Sequence, residues 1–216
     1  PVRSRCWSGM SGNQPLLHSN VTPLLALRMP LVTTSVLPMV FSSSWASGVN
    51  AYLVVLILGL ADKFGHFAQI PDQLARTDVL IGAGVLYALE FVADKVPYLD
   101  STWDAISTVL RPTVAAVIAA LIAQDQTSGE QLAYAALGGA TAFASHSVKS
   151  GSRLAINASP EPFTNIGASV GEDLTVAGVM ALALNHPWIA LGVSGTLLIV
   201  GLFLLFVILR RIRHGW

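Results

Sequence analysis

From Trp188 to Leu209 the chain runs without one charged residue, and Arg210, Arg211 and Arg213 then end the run. About 20 apolar residues at ~1.5 Å each are enough for a helix to cross a bilayer. A segment this long and this apolar reads as a transmembrane helix, and composition extends the reading to the whole chain. Hydrophobic residues make up 53% of the 216, charged residues only 11%, and the mean hydropathy is +0.63. Soluble domains carry about a quarter charged residues. Twelve Lys+Arg balance twelve Asp+Glu, so no basic field for nucleic acid is present. Cys6 stands alone, which excludes a disulfide framework and a cysteine-ligated metal site.

Five further spans are expected from apolar runs between charged or Pro/Gly punctuation: Trp45–Ala61, Val79–Asp94, Pro112–Gln124, Gln131–Val148 and Thr164–Leu184. The fold class expected is an all-α polytopic bundle of about six spans. With the C-terminus in the cytoplasm, ten Lys/Arg fall on the inner side and only Lys63 and Arg76 on the outer. That bias obeys the positive-inside rule and predicts an inner (plasma) membrane protein with both termini cytoplasmic. Five spans would put one charged cluster on the wrong side.

Pro1–Arg28 is polar and lacks apolar periodicity, so it reads as a disordered or non-native extension, with Met29 a more natural beginning. A cleaved signal peptide is the alternative. Residues 29–44 include the apolar stretch Leu31–Phe41, eleven residues long and interrupted by Pro38. That length suits an interfacial or re-entrant segment. The membrane domain proper is expected over 45–216.

An ionisable group in hydrocarbon costs at least ~2.5–3.5 kcal/mol, so each one needs a reason. Glu90 and Asp94 are four apart and share a helix face, with Tyr87 one turn before. They read either as a cation or proton site, or as Glu90 inside and Asp94-Lys95 at a helix end. Pro97 breaks that helix, and Asp100-Ser-Thr-Trp103 reads as the N-cap of a new one. Asp104 then suits the positive end of the dipole, and Arg111-Pro112 closes the short helix. Tyr98 and Trp103 fit interfacial anchoring.

His146, Lys149, Ser150 and Arg153 follow one helical stripe, basic where the first group is acidic. The stripe could bind an anion or partner the carboxylates; the alternative is that Lys149 and Arg153 snorkel to the inner interface, the reading favoured for Arg153. Glu172 and Asp173 lie about 12 Å along their helix, near the middle of a ~30 Å core, so one must face the bundle interior or a wet cavity. Glu172 is the principal candidate. Gly167 and Gly171 form a small-xxx-small pair that would admit another helix backbone. Asn50 reads as helix glue or a cation ligand. Opposite charges at similar depth are expected to pair.

Phe41 to Gly48 and Phe143 to Gly151 share a Phe…Ser-Gly pattern, each ahead of a helix with intramembrane acids. Two related three-helix halves would suit a transporter. The sequence also resembles a bacterial membrane family catalogued as domain of unknown function 4126. GVNAYL at 48–53, EFVADKVPYLDSTWDAI at 90–106 and KSGSR at 149–153, followed by Glu172-Asp173, carry the likeness, which runs over roughly Ser44 to Leu209. The resemblance implies membrane location and no activity.

Two function classes remain in view. A small permease or ion- or proton-coupled transporter would use Glu172, Glu90, Asp94, Asp173, His146, Lys149 and Asn50, moving a small ion or, from the basic stripe, an anionic substrate. A non-transporting scaffold or assembly factor would use the same charges as structural pairs. HExxH and GxSxG are absent, so hydrolase readings lack support; no enzyme activity or cofactor is expected, and metal binding stays open. The bilayer is the expected partner, and six short helices leave room for a homodimer.

Overall fold

A computed structural model describes residues 22–65, 67, 69–96, 99–157 and 162–214. The polar extension up to residue 21, Pro97 and Tyr98 with the roles expected of them, and the side chain of Asp100 lie outside the described residues. Among the described residues the chain is all-helical: α1 (Thr22–Gly65), α2 (Thr77–Ala93), α3 (Leu99–Ile122), α4 (Ser128–Asn157), α5 (Pro162–Asn185) and α6 (Pro187–His214). A single 3₁₀ turn, Asp72–Ala75, links α1 to α2. Pro162 and Pro187 open their helices, where the missing N–H costs nothing. α4 opens on a capping box. Thr127 N and Oγ1 donate to Glu130 Oε2 at 3.1 and 2.7 Å, and Glu130 N donates back to Thr127 Oγ1 at 3.4 Å.

α1 is the central post and packs against all five other helices. The interior it organises holds an unusual share of polar and charged side chains beside an apolar cluster that includes Met39, Leu58, Ile118 and Met180, and the outside is apolar. Ser42, Ser43, Ser44 and Ser47 are fully buried, while Ile199, Phe203 and Phe206 on α6 stand out, Ile199 at 71% exposure. A water-soluble bundle would not expose so many large apolar side chains or bury so many charged ones. In lipid the apolar exterior is solvated and the polar groups are satisfied inside. Four helical stretches are long and apolar enough to cross a membrane: Val36–Gly65, Thr102–Ile122, Phe163–Asn185 and Pro187–Arg211. α2, 17 residues long, and the more polar α4 complete the bundle.

Four details differ from the sequence expectations. Leu31–Phe41 is part of α1 rather than a separate interfacial piece, and Val36, Met39 and Val40 are buried in the bundle. Pro112 does not close a short helix. α3 runs through it, because one lost backbone bond is tolerable where neighbouring helices hold both halves in place. α4 continues past Val148 to Asn157, since Lys149 and Arg153 find acidic partners inside and need not end the span. Gly167 and Gly171 face open space, with nothing within 4 Å of an added Cβ. The close helix approach occurs instead at Gly48, where a Cβ would sit 1.8 Å from Ser145 Oγ and 2.3 Å from Ala142 O of α4.

Candidate functional site

α1 is not one continuous helix. Asn50 leaves the helical region at φ −150°, ψ 96°, and its Oδ1 accepts from Leu53 N at 3.0 Å, so it caps the second half of α1 from within the bundle. Breaking the ladder frees backbone carbonyls, and two of them are taken by buried cations. Arg111 Nη1 donates to Gly48 O at 3.1 Å, and Lys149 Nζ to Val49 O at 3.1 Å. A discontinuous helix with ionised groups at the break is the arrangement in which transporter sites are built.

Around the break the charges form one connected network. Arg111, 1% exposed, donates through Nη2 to the fully buried Glu90 at 2.6 Å and lies 3.6 Å from Asp104 Oδ1. Its Nη1 also meets His146 Nδ1 at 2.8 Å. Because guanidinium is only a donor, Nδ1 accepts, which leaves the ring neutral with its proton on Nε2. That Nε2 lies 3.2 Å from Asp104 O and 3.1 Å from Thr108 Oγ1. Lys149 Nζ bridges Asp94 at 2.9 Å, Glu90 at 3.5 Å and Glu172 at 3.4 Å. Arg153 closes a two-toothed fork on Glu172, Nε to Oε1 at 3.1 Å and Nη2 to Oε2 at 2.7 Å. It also donates to Asn165 Oδ1 at 2.5 Å and to Asp94 O at 3.0 Å. Asp173 faces away from these cations and is held by neutral donors, Asn50 Nδ2 at 2.9 Å and Tyr87 OH at 3.2 Å.

All seven residues singled out in the sequence therefore meet at the break: Glu90, Asp94, His146, Lys149, Glu172, Asp173 and Asn50. Three more belong with them. Asp104 and Arg111, expected to cap and close a short helix, are buried seven residues apart on one face of a long one. Arg153, expected to snorkel, is 1% exposed, because Glu172 and Asp94 offer it partners inside. Their i, i+7 spacing on α3 was the available signal. It reads as an inward stripe only if Pro112 is allowed inside the helix.

The balance of charge is uneven. Glu90, Asp94 and Asp104 are buried and Glu172 and Asp173 partly exposed, five carboxylates against the buried cations Arg111, Lys149 and Arg153, with Lys95 a fourth cation near Asp173 and Asp94. Glu90 Oε2 and Asp104 Oδ1 are buried without a hydrogen bond among the described residues. An uncompensated carboxylate is expensive in a medium of low dielectric, so the excess needs protons or added cations. Among the described residues no cluster of His, Cys, Asp and Glu has the layout of a metal centre.

Beside the network lies a cavity of about 420 Å³ between α1, α4, α5 and α6. Lys149 and Glu172 reach its wall, and Trp45, Val49, Val148 and Leu198 supply apolar surface. Polar network and cavity share those two side chains.

Comparison with known proteins adds a family and no activity. The family described as Domain of unknown function (DUF4126) matches residues 37–209, a stretch that takes in every residue of the network. No curated protein matches the chain, and no solved structure does.

Proposed function

The chain belongs to the DUF4126 family, and from that premise of a membrane bundle without an assigned activity we propose that it is a small carrier for a cation or proton. The observation that carries the reading is a set of five carboxylates, three of them buried and two partly exposed, that outnumbers the cations around it, Arg111, Lys149, Arg153 and the neighbouring Lys95, at a break in the central helix. A site with more acids than bases, placed at a helix break whose freed carbonyls are held by Arg111 and Lys149, is suited to bind a cation and release it again. Glu172 sits where network and cavity meet, and Glu90 sits at the buried end. The basic residues favour an anion less than their number suggests, since each is already engaged by carboxylates. We place the bundle in the inner membrane as six spans with both termini cytoplasmic, the arrangement that the distribution of Lys and Arg favours.

A second reading, a non-transporting scaffold, draws on the completeness of the Arg153 bonds. Proteoliposomes enclosing a pH-sensitive dye separate the two. The carrier reading expects an imposed cation gradient to move protons through the wild type, and Glu172→Gln to lose that flux while remaining folded and inserted. A silent wild type, with the Arg153→Glu/Glu172→Arg exchange restoring the stability lost by either single change, would decide for the scaffold.

A further inference from the structure

The cavity beside Glu172 is built for something other than a hydrated inorganic ion. Its walls are mostly apolar, with Trp45, Val49, Val148, Leu197 and Leu198 against the hydroxyl residues Ser145, Ser152 and Thr175, and charge enters only through Lys149 and Glu172. A bare small cation would give up its water there for a few hydroxyls, one carboxylate and a mostly apolar wall. An amphiphile would place each part against matching surface.

Two observations set the sign of the charge. Lys149 has three N–H donors, and Val49 O, Asp94 and Glu90 take them. It has none left for an anion. Glu172 is the most exposed acid of the ion-paired set, 19% against 7% or less for Glu90, Asp94 and Asp104. A carboxylate offers about four acceptor sites, and the hydrogen bonds from Arg153 occupy two of them. Arg153 and Lys149 both contact Glu172, and over the whole network the acids still outnumber the cations, which favours a positive guest. An aromatic face close by is the usual partner of an ammonium too large to be well hydrated.

We infer that the cavity binds a lipophilic organic monocation, its ammonium between Glu172 and Trp45 and its apolar part against Leu197 and Leu198. The inference gives a substrate class to the carrier reading and rests on it for its purpose, although binding is measured without transport.

The test uses the full chain in lipid nanodiscs and radiolabelled benzyltrimethylammonium. Neopentylbenzene, the same shape with carbon in place of nitrogen, and benzenesulfonate, of opposite charge, serve as competitors. The expected result is saturable binding that neither competitor displaces at equal concentration. Gly171 lines the cavity and a side chain added to it meets open space. Gly171→Leu is therefore expected to fill the pocket, leave every ion pair in place and weaken binding by about tenfold or more. Glu172→Gln should weaken it at least as much, and Glu172→Asp less. Competition by benzenesulfonate, or unchanged binding by Gly171→Leu, would overturn the inference. Cation flux in proteoliposomes without benzyltrimethylammonium binding would remove this site and leave the carrier. Binding without flux of any cation would remove the carrier and leave the site.

Discussion

Glu90 and Arg111 show why single residues here cannot be judged by type alone. Both are essentially removed from solvent and 2.6 Å apart. A buried pair gains little over an apolar replacement, yet removing one partner strands the other. Arg111→Met is therefore expected to destabilise the bundle by about 3–5 kcal/mol, and Glu90→Gln/Arg111→Met to recover most of that loss, as read by equilibrium unfolding in mixed micelles. A double variant no more stable than the single one would show that Arg111 acts through Gly48 O and His146 instead. At this scale the sequence was legible wherever a charge stood within an apolar run, as with Glu90 and Glu172. Asp104 and Arg111 were hidden by local rules that are sound in water: acid after a proline break, arginine before another proline. Tertiary partners overrode them.

At the scale of elements, the break in α1 is the feature that local propensity conceals, since Asn50 lies in an apolar run with no proline near it. Its side chain does two jobs, capping toward Leu53 N and bridging to Asp173. Loss of a cap costs about 1 kcal/mol and loss of the bridge a comparable amount, so Asn50→Ala is expected to lower stability by roughly 2 kcal/mol. Asn50→Ser, which keeps a capping oxygen, should lose about half as much. Equal losses would mean that Asn50 does not cap. Gly48→Ala, pressed against Ser145 and Ala142, should disrupt the packing of α1 on α4, while Gly167→Ala should leave the unfolding midpoint unmoved.

The capping box of α4 gives a pH signature outside the bundle. The hydroxyl of Thr127, and after it the Thr127 N–H, hold the Glu130 carboxyl below the usual glutamate range. A depressed pKa stabilises the fold above the unfolded-state value, and the contribution is lost as pH falls through the folded-state value. The stability difference between wild type and Glu130→Gln should therefore be constant near neutrality and shrink on acidification. A difference that grows in acid would reverse the assignment.

Across the whole molecule the fold is legible because lipid reverses the usual sorting: apolar length sets the helices, and misplaced charge marks the interior. Four of the six helices, α2, α4, α5 and α6, coincide in large part with the apolar runs read from sequence, while α1 and α3 each extend well before the run they contain. The same sorting predicts that Phe203, exposed on α6, cannot become lysine cheaply. Phe203→Lys is expected to oppose insertion of α6 by about 2.5–3.5 kcal/mol if the residue lies near the bilayer centre. An insertion assay showing no loss would mean that this face of α6 meets water or protein.

The account turns on the surplus of negative charge inside the bundle, and proton release tests it most directly. If excess carboxylates hold protons until a cation replaces them, adding benzyltrimethylammonium to purified protein in weakly buffered solution should release protons from the wild type and fewer from Glu172→Gln. Saturable binding with no release, the same for wild type and variant at every pH, would contradict the claim that these acids are the working charge.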